Sequence, residues 1–238
     1  MTELLFRADA YRRTAPARVL GHTPEGALLV DASLFYPAGG GQPGDRGHLD
    51  WAGGGTGIAD TVKGPDDAAV LVPAADAPLP PVGADVVQHL DWDFRHAVMR
   101  MHTALHLLSV VLPYPVTGGA IGPEKSRLDF DMAEAPEDRE ALEAALNALV
   151  TRDLPVGETW ITEAELDARP DMVKTMAVKP PRGQGRVRLV RIGTEADQVD
   201  LQACGGTHVA RTGEIGALRI GKIEKKGRQN RRVSLHLG

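Results

Sequence analysis

The chain has 238 residues, one cysteine and a formal net charge of −5; this is length enough for one large domain or two modest ones, while a lone thiol excludes an internal disulfide framework and points to a reducing compartment. The negative balance argues against a protein that coats nucleic acid without selectivity, and no segment approaches the ~20 apolar residues of a membrane span. The opening residues, MTELLFRADAYRR, lack the apolar run of a signal peptide, so a soluble cytoplasmic protein is expected.

From Arg18 to Val72, the runs ARVLG, GALLVDAS, RGHLDW and AAVLVPA are cut by Gly and Pro at about ten-residue intervals, the spacing of strands in a small barrel or sandwich. Pro73 to Val86, PAADAPLPPVGADV, has no periodicity that would bury a face and reads as a linker or edge excursion between two domains. In DWDFRHAVMRMHTALHLLSVVL, apolar residues fall at Val98, Met101, Leu105, Leu108 and Leu112, which predicts an amphipathic helix ended by Pro113. A second helix is predicted from about Pro136 through Leu149. Thr162 and Glu165 form the signature of a capping box opening a short third helix. SRLDFDM, RVRLVRI, ALRIGKI and RRVSLHL alternate as strands. The expected fold is α+β: a small N-terminal β-barrel over residues 1–90, then an α/β domain with antiparallel sheet and helices over 91–238.

Two residue pairs in the second half carry the chemistry. His102 and His106 lie one helical turn apart and project from one face, where they can grip one ion. Cys204 and His208 flank Gly205 and Gly206, glycines that free the backbone to fold tightly around an ion. Each pair alone is compatible with a structural role: Cys204 as a small buried hydrophobe, the histidines as satisfied polar residues. Together they make a thiolate and imidazole set that suits one tetrahedral Zn(II) ion.

HTALH at 102–106 with CGGTH at 204–208 resembles the editing domain of alanyl-tRNA synthetase and its free-standing relatives, the AlaX trans-editing proteins. The resemblance extends through DFRHAVMRMHTALHLLS, GPEKSRLDFDM, THVARTGEIGALRI and KIEKKGRQNRRV. FYPAGGGQPGDRG, Phe35 to Gly47, looks like the glycine-rich motif of the longer AlaX type, which carries an N-terminal barrel and lacks the C-terminal extension of a still longer type. The resemblance implies hydrolysis of the ester joining serine or glycine to tRNA(Ala), with zinc held by the two pairs. Such a second site is needed because a pocket built for alanine rejects glycine, or an added hydroxyl, only weakly. The resemblance also points to a threonine facing the metal that senses the serine hydroxyl. Thr117 in YPVTGGAIG is the positional match, with Thr103 as competitor and a plain turn threonine as the alternative.

The glycine-rich stretch lacks the Lys-Ser/Thr ending of a P-loop and the spacing of a dinucleotide fingerprint, which excludes a nucleotide cofactor. It reads either as a tight β-turn scaffold or as a loop closing over the tRNA terminus. In the second reading Gly40 and Gly41 supply backbone amides, and Gln42, Asp45 and Arg46 supply polar contacts. Basic residues cluster late: Arg219, Lys222, Lys225, Lys226, Arg228, Arg231 and Arg232. With Lys125, Lys174, Lys179 and Arg182 they are candidates for phosphate contact, or they are the charged outer faces of an ordinary strand pair. Two rival functions remain open: a tRNA-binding module whose zinc is purely structural, and an editor of the threonyl-tRNA type.

Overall fold

In the computed structural model, alternating burial along the N-terminal strands builds a barrel before any helix of length appears. The structure describes residues 2–169, 172–173 and 185–238, and the chain divides into two units, Met1–His96 and Ala97–Gly238.

The first unit contains β1 (Glu3–Leu4), β2 (Thr14–His22), β3 (Leu28–Val30), β4 (Ala32–Ser33), β5 (Gly47–Trp51), β6 (Gly54–Lys63), β7 (Ala69–Pro73) and β8 (Asp85–Leu90). Six of these close a barrel in the order β2-β3-β7-β6-β5-β8, and β1 pairs in parallel with β4. The alternation in β2, where Ala15, Ala17 and Val19 are buried between exposed neighbours, directs one face inward. There Ala17, Val19, Leu28, Val30, Phe35, Leu49, Ile58, Leu71, Val86 and Leu90 form the core.

One expectation is corrected here. The Pro-rich stretch 73–86 is not an interdomain linker: it is the excursion from β7 to β8, and β8 closes the barrel by pairing with both β2 and β5. Pro73 ends β7, Pro78, Pro80 and Pro81 sit in the loop, where no ladder N–H is required, and β8 begins only at Asp85.

α1 (Trp92–Val111) starts in the first unit and continues into the second. From Met101 to Ser109 every residue is buried, so polar side chains in that span must find partners inside the protein. The second unit continues with β9 (Val116–Ala120), β10 (Lys125–Asp131), α2 (Arg139–Thr151), β11 (Val156–Thr162), α3 (Glu163–Asp167), β12 (Arg186–Gly193), β13 (Gln198–Ala203), β14 (Leu218–Lys225) and β15 (Asn230–Leu237). Among the described residues these strands make two antiparallel sheets, β14-β15-β10-β9 and β11-β12-β13, which together with the helices give the α+β class.

Local chemistry sets the helix starts. Asp138 caps α2 by accepting from the Ala141 amide at 2.8 Å, so the helix opens after Asp138 rather than at Pro136. Thr162 and Glu165 form the capping box of α3. No helix among the described residues is long and apolar enough to cross a membrane.

Candidate metal centre

His102 and His106 lie on the buried part of α1, and Cys204 follows directly on β13, with His208 four residues further along the chain. The ligand atoms of all four lie within 4.8 Å of one another. Cys204 Sγ stands 3.4 Å from His102 Nε2 and 3.3 Å from His208 Nε2. A tetrahedral zinc with bonds of roughly 2.3 Å to sulfur and 2.0 Å to nitrogen places such atoms about 3.5 Å apart. The donor set therefore fits one tetrahedral ion both in chemistry and in spacing.

The ring orientations are fixed from outside the cluster. Asp200 on β13 holds His106 through Nδ1 at 3.1 Å, and the same carboxylate accepts from Gln202 Nε2 at 2.7 Å. Thr103 Oγ1 lies 3.1 Å from His208 Nδ1, donates to the Met99 carbonyl at 3.0 Å and accepts from the Val209 amide at 3.3 Å. With Nδ1 engaged, each ring turns Nε2 toward the centre, the outer-layer arrangement typical of metal-binding histidines.

The loop carrying Cys204 is held by Arg188 on β12, whose Nη1 donates to the Cys204 and Gly206 carbonyls at 3.0 and 2.9 Å. This corrects the expected reason for the two glycines. Neither Gly205 nor Gly206 adopts a positive φ, so the loop does not depend on glycine's left-handed freedom. A Cβ at Gly205 would meet nothing within 4 Å, and residue Cys204 before it is half-buried.

Electrostatics favour the protonation state an ion needs at two of the four ligands, Cys204 and His208. Burial alone would keep the Cys204 thiol protonated, but His102 and His208 beside it carry its pKa well below the usual thiol value. Burial and the neighbouring His102 push His208 well below the ordinary imidazole value. Burial also pushes His106 down, yet the hydrogen bond to Asp200 and the adjacent Cys204 outweigh it and raise its pKa to about 9. Two negative groups in a closed space thus call for positive charge, from a proton on His106 or from a cation at the centre.

The remaining candidates make other contacts. Thr117 is on β9, where its hydroxyl donates to the Asp129 carbonyl at 3.1 Å and accepts from Asn230 Nδ2 at 2.6 Å; of the two threonines, Thr103 is the one in contact with the metal cluster. In the glycine-rich motif, Gly39 and Gln42 exchange backbone hydrogen bonds at 3.0 Å around Gly40 and Gly41, both at positive φ. That is the geometry of a tight hairpin turn, whose positive φ values favour glycine at both central positions. Gln42 is buried. Asp45, anticipated as a substrate contact, is sealed inside the first unit: Arg95 Nε meets both its carboxylate oxygens at 3.0 and 2.9 Å, Arg95 Nη2 adds a further contact, and the Tyr36 amide donates to it at 2.5 Å. Arg46 is exposed, ion-paired to Asp91 at 2.8 Å and stacked over Phe94.

Lys125 is exposed at the start of β10. Arg231 is buried, and its guanidinium is spent on the carbonyls of Gly227, Asn230 and Ala133, because the β14–β15 turn offers unpaired acceptors that a nearby donor must satisfy. Arg219, Lys222, Lys225, Lys226 and Arg228 are exposed on β14 and the turn after it. Lys174, Lys179 and Arg182 lie outside the described residues. Sequence reasoning missed Asp200, Gln202 and Arg188.

Residues 187–234 match the family described as the threonyl and alanyl tRNA synthetase second additional domain. The alanyl-tRNA editing protein AlaX-M of Methanosarcina acetivorans is 33% identical over 98% of this chain and 98% of its own length, and its namesake from Methanosarcina barkeri is 32% identical with the same coverage of both chains. The alanine–tRNA ligase of Pyrobaculum arsenaticum is 35% identical over 94% of this chain, which spans 25% of that larger protein. With the full-length agreement joined to the paired HTALH and CGGTH motifs, the chain belongs to the family of the AlaX-M alanyl-tRNA editing proteins.

Proposed function

We propose that this chain is a trans-editing deacylase that hydrolyses the ester of tRNA(Ala) mischarged with serine, and also with glycine, at a one-zinc site formed by His102, His106, Cys204 and His208. The observation that carries the reading is the convergence of those four donors within 4.8 Å in a chain matched end to end by proteins named for alanyl-tRNA editing. Bound there, zinc would supply a Lewis acid for the aminoacyl group.

The chain's own residues do the rest. Burial opposes ionisation of Cys204, but the imidazoles around it outweigh that and favour the thiolate. Asp200 and Thr103 are positioning residues: they keep the rings of His106 and His208 aimed at the centre. The exposed Gly205 next to Cys204 is the side from which the esterified terminus would approach. Arg219, Lys222, Lys225, Lys226 and Arg228 are the exposed cations available to the tRNA backbone, a contact that weakens as salt rises. The exposed edge of the glycine-rich motif, Gly40, Gly41 and Arg46, is a second place for polar contact with substrate. Thr117, whose hydroxyl donates to the Asp129 carbonyl and accepts from Asn230, is retained as the candidate sensor of the serine hydroxyl, where alanine would leave a polar group unpaired.

The test is hydrolysis of Ser-tRNA(Ala), Gly-tRNA(Ala) and Ala-tRNA(Ala) by zinc-loaded protein and by Cys204→Ala. Expected are rapid loss of the first, sparing of Ala-tRNA(Ala), and a fall of at least about 100-fold in the variant. A second reading is favoured by one feature, since four protein donors fill a tetrahedron in the manner of a closed structural site. It predicts tRNA binding without turnover and unfolding on chelation; survival of every ester alongside bound tRNA would establish it.

A further inference from the structure

The outer face of the barrel carries a second cluster of donors that the editing chemistry does not use. His48 on β5 and His89 on β8 are directly opposed in the antiparallel ladder, and their rings stack with centroids 4.5 Å apart at an interplanar angle of 5°. Asp50, two residues along β5, points to the same face and places Oδ2 3.0 Å from His89 Nε2. The ligand atoms of the three lie within 4.8 Å of one another.

His48 and Asp50 are exposed and His89 is half-buried, and the ladder neighbours add no cation of their own. The ladder partners on the far side of β5 are Gly57, opposite His48, and Gly55, opposite Asp50, so no side chain from β6 covers the donors. The other ladder neighbours are Thr14, opposite His89, and Val87, opposite Asp50. None of these carries a cation that would compete for the carboxylate. The inward-facing neighbours Leu49 and Leu90 are packed in the barrel core, which fixes the strand pair that presents the donors.

We infer that His48, Asp50 and His89 form a binding site for a divalent first-row transition ion, of the Zn(II), Ni(II) or Cu(II) class. Two imidazoles select such ions over Ca(II) and Mg(II), which prefer all-oxygen sites. Three protein donors on an uncovered face leave coordination positions for water or an external ligand. The site belongs entirely to the first unit and is separate from the His102–His208 centre.

The experiment is isothermal titration of the full chain with zinc chloride, comparing wild type with His48→Ala/His89→Ala and with Asp50→Asn. Wild type is expected to take up one more equivalent than the double variant, and Asp50→Asn to weaken that equivalent by at least about tenfold. The comparison is a difference of one equivalent, so it stands whether or not the His/Cys centre binds zinc. Equal stoichiometry in wild type and double variant, each with an unchanged melting temperature, would overturn the site. Were the double variant unstable, the single His48→Gln change at this exposed position decides in the same way: loss of the extra equivalent supports the site, and its retention at undiminished affinity overturns it.

Discussion

Asp45 and Asp200 are both sealed from water, at 1% and 3% exposure, one in each unit, yet their charges are balanced by different means. Asp45 meets the Arg95 guanidinium through both of its oxygens, and that partner is also tied to the carbonyls of Ala10 and Leu34. Asp200 meets an imidazole whose charge is optional and whose other nitrogen faces a cluster of metal donors. The first pair is a permanent fixture that pins the glycine-rich motif to the start of α1. The second is a hinge of electrostatics, complete only when a proton or a cation is present on the far side of His106.

The largest effect that would break this contrast is expected at the first pair. Arg95→Met leaves Asp45 buried without a partner and should cost about 3–5 kcal/mol, read as a lowered urea midpoint. If Asp200→Asn destabilised the chain by as much, the distinction would fail. Instead, that substitution should spare the fold and reduce zinc affinity by about 10–100-fold, measured by competition with a chelating dye. Thr103→Val acts on the other oriented ring: His208 loses its hydroxyl partner, and a decrease of about tenfold in zinc affinity is expected, again with little change in unfolding.

Smallest is the effect at Asp129, a carboxylate only partly withdrawn from water. Burial raises its pKa, but hydrogen bonds from Arg232 and Arg127 outweigh that and hold it below the usual carboxylate range. Its folded pKa is depressed, so its contribution is present above the unfolded value of 3.8 and is lost as pH falls through the folded value. Asp129→Asn should remove about 1 kcal/mol near neutrality and flatten the stability profile below about pH 4. An unchanged profile would show that the two arginines do not depend on this charge.

What could be read beforehand follows the range of the interaction. HTALH and CGGTH each place two donors within one turn or one short loop, so both pairs were visible in the sequence, as were the capping box of α3 and the alternation of β10, β12 and β15. Asp200 and Gln202 were not, because in QVDLQA the polar residues occupy the buried face of β13, reversing the usual reading of an alternating strand. The signal was present, in polar residues at i and i+2, but only the cluster they face reveals which side is inward. Asp45 and Arg95 are 50 residues apart, and nothing local marks a salt bridge across that distance. The strand β8 was half hidden by the prolines before it, and β6 by its glycines.

β14 is the outer strand of its sheet, and a free strand edge invites pairing with another chain. Two devices guard it. Near its start, α2 supplies a substitute for a neighbouring strand: Asn147 Nδ2 donates to the Leu218 carbonyl at 2.8 Å, the Leu218 amide donates to Asn147 Oδ1 at 2.9 Å, and the Ile220 amide donates to Glu143 Oε2 at 2.7 Å. Further along, where α2 no longer reaches, the exposed Lys222 and Lys225 take over, and like charges discourage a second copy from aligning there. Neutralising those lysines would therefore test colloidal behaviour as well as the proposed tRNA contact, because the same side chains lie along the open edge of the sheet.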